Sequence, residues 1–250
     1  MNRTEINRLV NDLLMITPCK SNRSTEKFEE AVRKLMSVSY QHFGHKGVRK
    51  VEEALLFAAE KHQGEYRECE NAPYILHPIS TALNLFKLGV FDKKCTIASV
   101  LHDVHEDEGV AIREITKKFG RDIAQIVHLV SKKHKGEFIN HKNGGFWKNL
   151  KKHRNLNNRW RAIIIKFADR IHNISTFGNM EEKRLFRKVK ETLDQFKELG
   201  ESLNKAIQSL HKQGIIKDDS LLTLAWRASN RLHHELAPYR NKYEQYISKL

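Results

Sequence analysis

Only four prolines and twelve glycines interrupt this 250-residue chain, and between them the apolar residues recur at helical spacing. That combination leaves few places where a regular element must break, and it argues for a mostly helical protein. Ile6, Leu9 and Leu13, then Phe28, Val32 and Leu35, mark two amphipathic helices before residue 44. Gly44 and Gly47 punctuate the chain ahead of a third helix through VRKVEEALLFAAEKH. The irregular, charged QGEYRECENAP follows, and Pro78 then sits where a proline helps start a helix, PISTALNLFKLGV. A helix from Lys93 to Glu106 comes next, then two shorter ones, AIREITKKF and DIAQIVHLV, on either side of Gly120. A polar, basic stretch with Gly144–Gly145 as its loop signal precedes a buried helix, WRAIIIKFADRIHNIST. Residues 181–213 and 218–236 continue as amphipathic helices, with Pro238 near the end. There is no internal repeat and no strand alternation, so the expected fold is all-α.

Composition narrows the class and the partners. Hydrophobic residues make up 40% of the chain, a globular proportion and not a disordered one. No stretch approaches the roughly 18 uncharged apolar residues of a membrane span. The opening MNRTEINRLV lacks an apolar signal core, and the three cysteines, Cys19, Cys69 and Cys95, are odd in number and scattered. Together these predict a cytoplasmic protein with reduced thiols. The net charge of +15 and sequence pI of 9.7 point to a polyanionic partner. Nucleic acid, an anionic membrane surface and a multiply phosphorylated small molecule all fit, and composition does not choose among them.

The stretch LHDVHEDEGV, residues 101–110, grows out of the apolar run TIASVL and is crowded with ionisable groups. On a helix, at about 100° per residue, His102, Asp103, Glu106 and Asp107 share a face beside a stripe of Ile97, Val100, Leu101 and Val104. Small Ser99 lies between, and His105 falls outside the acidic arc, as a surface neighbour. Three carboxylates on one face repel one another unless a cation sits among them. A second helix repeats the design: in IIIKFADRIHN, Asp169 and Asn173 are i, i+4 neighbours directly after an apolar run. A third piece is His77 in PYILHP, just before the helix-starting proline. Two imidazoles and two carboxylates suit Mn²⁺, Fe²⁺ or Zn²⁺ better than Ca²⁺ or Mg²⁺.

The order H…HD…D is the signature of HD-type metal phosphohydrolases. The extended words PYILHP, LHDVHEDEGV followed by ITKKFG, and KFADRIHNIST resemble those of the RelA/SpoT-type alarmone hydrolases, above all their small single-function branch. The motifs span residues 62–176, about half the chain. The resemblance implies the helical HD fold, with residues 1–44 as an N-terminal helical extension and 45–250 as the hydrolase domain completed by its C-terminal helices. It implies one metal ion, typically Mn²⁺, on His77, His102, Asp103 and Asp169. Glu106 and Asp107 match the pair that positions and deprotonates the attacking water. Asn173 matches a ribose contact, and Arg67 matches the arginine that packs on guanine. Lys132, Lys166, Arg170 and Thr176 are candidates for phosphate or nucleotide contacts. The implied reaction removes the 3′-pyrophosphate of guanosine tetra- or pentaphosphate, giving GDP or GTP and pyrophosphate. Only 74 residues follow Thr176, so no synthetase activity is expected.

Other readings of the same residues stay open at this point. The fold could serve another nucleotide, or carry a catalytically silent RNA- or partner-binding module. Arg67 can be a solvated loop charge, and His172 can hydrogen-bond a ligand instead of holding the metal. The basic segment 132–161, with Phe146, Trp147 and Trp160, can bind single-stranded nucleic acid, or its aromatics can pack into the domain. A homo-oligomer is compatible with the apolar stripes of the terminal helices.

Overall fold

Asn2 accepts a hydrogen bond from the Glu5 amide while Glu5 reaches back to the Asn2 amide, and this capping box starts the first helix, α1 (Arg3–Ile16). Ser21 and Ser24 do the same for α2 (Asn22–Lys61). The computed structural model describes residues 1–67, 72–134, 137–138 and 145–248. Gly144, part of the expected loop signal, and Cys69 lie outside the described residues. Cys19 and Cys95 are free thiols.

The two helices expected on either side of Gly44 are joined into one bent element. Gly44 has φ +64°, a left-handed conformation that costs glycine little, and the helix kinks there. A two-residue antiparallel ladder follows, β1 (Tyr66–Arg67) with β2 (Ala72–Pro73). Next come α3 (Leu76–Lys87), α4 (Lys93–Val100), α5 (Ile112–Phe119) and α6 (Arg121–Val130). A second small ladder pairs β3 (Lys133–His134) with β4 (Glu137–Phe138). The chain then forms α7 (Phe146–Lys152), α8 (Leu156–Ile174), α9 (Glu182–Lys212) and α10 (Leu224–Ile247), with short 3₁₀ turns at Phe177–Asn179 and Asp219–Thr223. The all-α expectation is borne out.

The centre of the molecule is α8, which packs against α3, α4, α6, α7, α9 and α10. Ala162 through Ile171 are buried without a break. A helix apolar all round must be enclosed by other elements, and this one draws Lys166, Asp169 and Arg170 into the interior with it. The other walls are apolar stripes, such as Val51, Leu55 and Ala58 of α2 and Leu199, Leu203 and Ala206 of α9. Asp92 caps α4 by accepting from the Cys95 amide, and it also takes a two-pronged bond from Arg161 at 2.9 and 2.6 Å, which ties α4 to α8. Among the described residues no helix is long and apolar enough to cross a membrane.

Four sequence expectations change. The helix begun at Lys93 ends at Val100 and not at Glu106, because His102 Nδ1 bonds the Ser99 carbonyl at 2.7 Å, the acceptor that another helical turn would need. Turns carry the chain from Leu101 to Asp107. His105 is buried and not a surface neighbour, with Nδ1 2.7 Å from the Val110 carbonyl. Pro78 is the third residue of its helix, which starts at Leu76. The last helix runs through Pro238 to Ile247; the missing amide proton forfeits one bond, and packing of Tyr239 on Phe177 and of Tyr243 on Phe186 continues beyond it. In the basic segment Trp160 is buried, and Trp147 stands edge-on to Phe196, so both tryptophans pack into the domain.

Candidate active site

His77, at the start of α3, His102 and Asp103, in the turn after α4, and Asp169, on α8, converge. The ligand atoms of His77, His102 and Asp169 all lie within 4.8 Å of one another. His77 Nε2 is 3.4 Å from Asp103 Oδ2 and 3.3 Å from Asp169 Oδ1. His102 Nε2 is 3.0 Å from Asp103 Oδ1 and 3.9 Å from Asp169 Oδ1.

The donor set fits a divalent transition metal. His102 spends its Nδ1 proton on the Ser99 carbonyl, so Nε2 is the ring nitrogen that faces the two carboxylates and that a metal would take on displacing its proton. Its 3.0 Å contact with Asp103 has the length of a hydrogen bond but not the direction, and buried Nε2 has no hydrogen-bond partner among the described residues. Burial works against charge on His102, yet Asp103 and Asp169 outweigh it and raise the imidazole to about 9. Burial also opposes charge on Asp103 and Asp169, but His102 and Lys166 respectively, with His77, hold both carboxyls well below the ordinary range. Such a cluster demands positive charge at its centre, and two imidazoles with two carboxylates are a ligand set for that charge.

Behind the cluster a hydrogen-bonded layer sets its orientation. Burial, then His77 and Arg67, push His172 down to about 2, so its imidazole is neutral. His77 Nδ1 and His172 Nδ1 lie 2.8 Å apart, and Arg67, which can only donate, reaches both, at 3.2 and 3.1 Å; the tautomers in which His172 Nδ1 accepts from both leave His77 Nε2 facing the carboxylates. Arg67 also donates to Asn173 Oδ1 at 2.7 Å, and Asn173 donates in turn to Asp169 Oδ1 at 2.6 Å. Lys166 donates to Asp169 Oδ2 at 2.8 Å. Thr176, two residues past the end of α8, donates to the Asn173 carbonyl.

Glu106 and Asp107 lie on the open side, lining a cleft of about 590 Å³ with Glu65, Tyr66, Tyr74 and Lys133. Burial raises both carboxyls above their ordinary values. Glu106 Oε2 accepts from the Lys132 amide at 2.8 Å. The turn after α4 thus delivers all four residues expected from one helical face, by a different route.

Two residues here were not singled out from sequence. Tyr74 donates towards Asp103 and Asp107, and burial together with those two charges pushes its phenol far above its ordinary value, so it stays a donor. Its signal was its place in PYILHP. Glu191, on α9, gathers Lys132 at 2.6 Å, Arg170 at 3.2 Å and Lys188 at 3.6 Å. Lys188, three residues before it on the same helix, is its one local partner among these; Lys132 and Arg170 come from distant segments.

His62, Glu65 and Glu108 form another group with ligand atoms within 4.8 Å, but its chemistry differs. His62 Nδ1 faces the carboxylates at 2.8 and 3.3 Å, while buried Nε2 has no hydrogen-bond partner among the described residues. A metal on Nδ1 would strand the ring proton on Nε2 in the interior. The proton belongs on Nδ1, and the group is a histidine–carboxylate hydrogen bond.

The HD domain family matches residues 54–204. A guanosine-3′,5′-bis(diphosphate) 3′-pyrophosphohydrolase of Borreliella burgdorferi is 33% identical over 186 residues, 71% of this chain and 26% of that protein. The protein of the same name from Aquifex aeolicus is 28% identical over 221 residues, 88% of this chain and 30% of that one. This chain therefore spans between a quarter and a third of the length of these relatives. A solved structure of a metazoan ortholog of SpoT aligns over 67% of this chain and 97% of that chain, at 24% identity and a TM-score of 0.47. The relatives carry the name that the three motifs led us to expect. The matched stretch runs from within α2 to within α9 and holds every residue of the cluster, so the chain belongs to the HD domain family.

Proposed function

We propose that the chain hydrolyses the 3′-pyrophosphate of guanosine tetra- and pentaphosphate, releasing pyrophosphate and leaving GDP or GTP. The observation that carries this reading is the convergence of His77, His102, Asp103 and Asp169 beside a carboxylate pair on an open cleft. The names of the bacterial relatives support the substrate. The four residues would hold one divalent ion, for which we propose Mn²⁺. When bound, it neutralises phosphoryl charge and acidifies a nearby water.

The chain's own residues supply the rest. Glu106 and Asp107 orient the attacking water and take its proton; their raised pKa values bring them closer to the neutral range where a general base works best. Lys132, Arg170 and Lys188 surround a single carboxylate, Glu191. Three cations on one anion leave net positive charge for substrate phosphates. Lys166, close to both Asp169 and Glu106, extends that charge to the carboxylate pair. Asn173 and Thr176 present polar groups for the ribose. To pack on guanine, Arg67 has to give up its bonds to Asn173 and His172. The +15 net charge steers a polyphosphate inward. Residues 1–44 serve as an extension of the 45–250 hydrolase unit, and the free Cys19 and Cys95 suit a cytoplasmic setting.

The test is turnover by the purified chain with Mn²⁺ on guanosine tetraphosphate, guanosine pentaphosphate, GTP and GDP. Hydrolysis confined to the first two is expected. Equal turnover of GTP or GDP would favour an HD phosphohydrolase for other nucleotides. A loaded metal site without turnover of any of them would favour a silent binding module.

A further inference from the structure

Tyr74 precedes His77 by three residues, and the reaction proposed above gives it no task. Its ring stacks on His62, with centroids 4.6 Å apart and planes 28° apart, and stands edge-on to His77 at 5.9 Å. These contacts aim the phenol. Its oxygen lies 2.9 Å from Asp103 Oδ2 and 3.0 Å from Asp107 Oδ2.

A phenol has one proton, so it donates fully to one carboxylate at a time. Asp103 belongs to the set that demands a cation, and a cation there takes up its charge. Asp107 is then the stronger acceptor. We propose that Tyr74 is a positioning residue for Asp107: its O–H fixes Oδ2, and with it the carboxylate plane and the place where Oδ1 meets the attacking water.

The rest of Asp107 is tied as well, since its amide donates to the Asp103 carbonyl at 2.8 Å. Glu106 is held by the same device, its Oε2 taking the Lys132 amide. Each member of the pair thus has one oxygen fixed by a donor, which sets the direction of the other. An O–H···O⁻ bond is charge-assisted and about twice as strong as a neutral one. A base that swings loses rate through orientation and not through affinity. This assignment rests on the hydrolase reading for its kinetics, but the hydrogen bond can be measured without turnover.

Tyr74→Phe removes one hydroxyl and keeps the ring that packs on His62. It should retain one equivalent of Mn²⁺ and the wild-type KM, with kcat lower by about tenfold or more, the scale of one hydrogen bond to a charged group. In an Asp107→Asn background the same change should cost less than about twofold. The same four-protein cycle followed by thermal unfolding should also be non-additive. Full additivity in both cycles overturns the proposal. So does a raised KM at unchanged kcat, which would make Tyr74 a substrate contact, and so does loss of metal, which would mean that it acts through Asp103. If the wild type does not turn over guanosine tetraphosphate while the unfolding cycle still couples, the substrate assignment fails and the Tyr74–Asp107 link stands.

Discussion

Replacing Glu106 with glutamine isolates the basicity of one carboxylate. In the wild type Oε2 is held by the Lys132 amide at 2.8 Å. The glutamine carbonyl can accept that same N–H, so the side chain keeps its place and turns an NH₂ group to the cleft. An acceptor becomes a donor at the one point where a water proton has to go. General-base catalysis is ordinarily worth roughly 10²-fold or more, or about 2.7 kcal/mol of barrier. The fold should barely register the change. Burial already disfavours the Glu106 charge, and losing its attraction to Lys166 is offset by losing its repulsion from Asp103 and Asp107. A net effect of about 1 kcal/mol shifts Tm by roughly 2–4 °C in a chain of this size. Steady-state kinetics on guanosine tetraphosphate, metal content and a melting curve should show kcat down at least about 100-fold, with unchanged metal stoichiometry and a Tm near wild type. Asp107→Asn added to it should fall far short of a multiplicative loss, because the pair acts on one water. Near-wild-type kcat in the double variant, with metal bound, would refute the assignment of the base to this pair.

Asp103→Ala removes a carboxylate that contacts both imidazoles, and elemental analysis should find no bound metal; full occupancy would contradict the ligand set. Arg67→Ala takes donors from His172 and Asn173, the groups that orient His77 and Asp169, and should weaken metal binding roughly 10- to 100-fold by titration calorimetry. Unchanged affinity would mean that the cluster is oriented by packing alone. Glu191 gives a pH signature: burial opposes its charge, but Arg170 and Lys132 hold its carboxyl down at about 2, against an ordinary 4.5. A depressed folded pKa contributes stability that is fully present above the unfolded value and lost as pH falls towards the folded one. Glu191→Gln should therefore flatten the acid side of the stability curve between these values, by an amount on the order of 2 kcal/mol. An unaltered curve in denaturant titrations would show that the three cations do not act on it.

The helices were legible because their signals are local. Periodic apolar residues, Gly44 and Gly120 located most elements, and the uninterrupted apolar run in WRAIIIKFA announced a helix enclosed by others. The residues of the cluster were legible in type and order, and the structure brings them together. The route that assembles them was not legible, since the end of α4 is decided by the His102 ring capturing the Ser99 carbonyl, a side-chain event that helical periodicity does not encode. The same shortcoming misplaced His105, whose burial follows from the turn and not from a helical arc. Arg67 read as a loop charge or a base contact, but besides His77 it reaches His172 and Asn173, 105 and 106 positions along the chain. Glu191 needs Lys132 and Arg170 brought from other elements before it means anything. Contacts of that separation appear only once α8 and α9 are packed.

The most direct measurement is hydrolysis of guanosine tetraphosphate by the purified, Mn²⁺-loaded chain in water enriched in ¹⁸O, with both products read by mass spectrometry. If Glu106 and Asp107 direct a water onto the phosphorus of the 3′-pyrophosphate, the pyrophosphate gains one ¹⁸O and the GDP stays unlabelled. Label in the GDP, release of orthophosphate in place of pyrophosphate, or no turnover by a metal-loaded protein would contradict it.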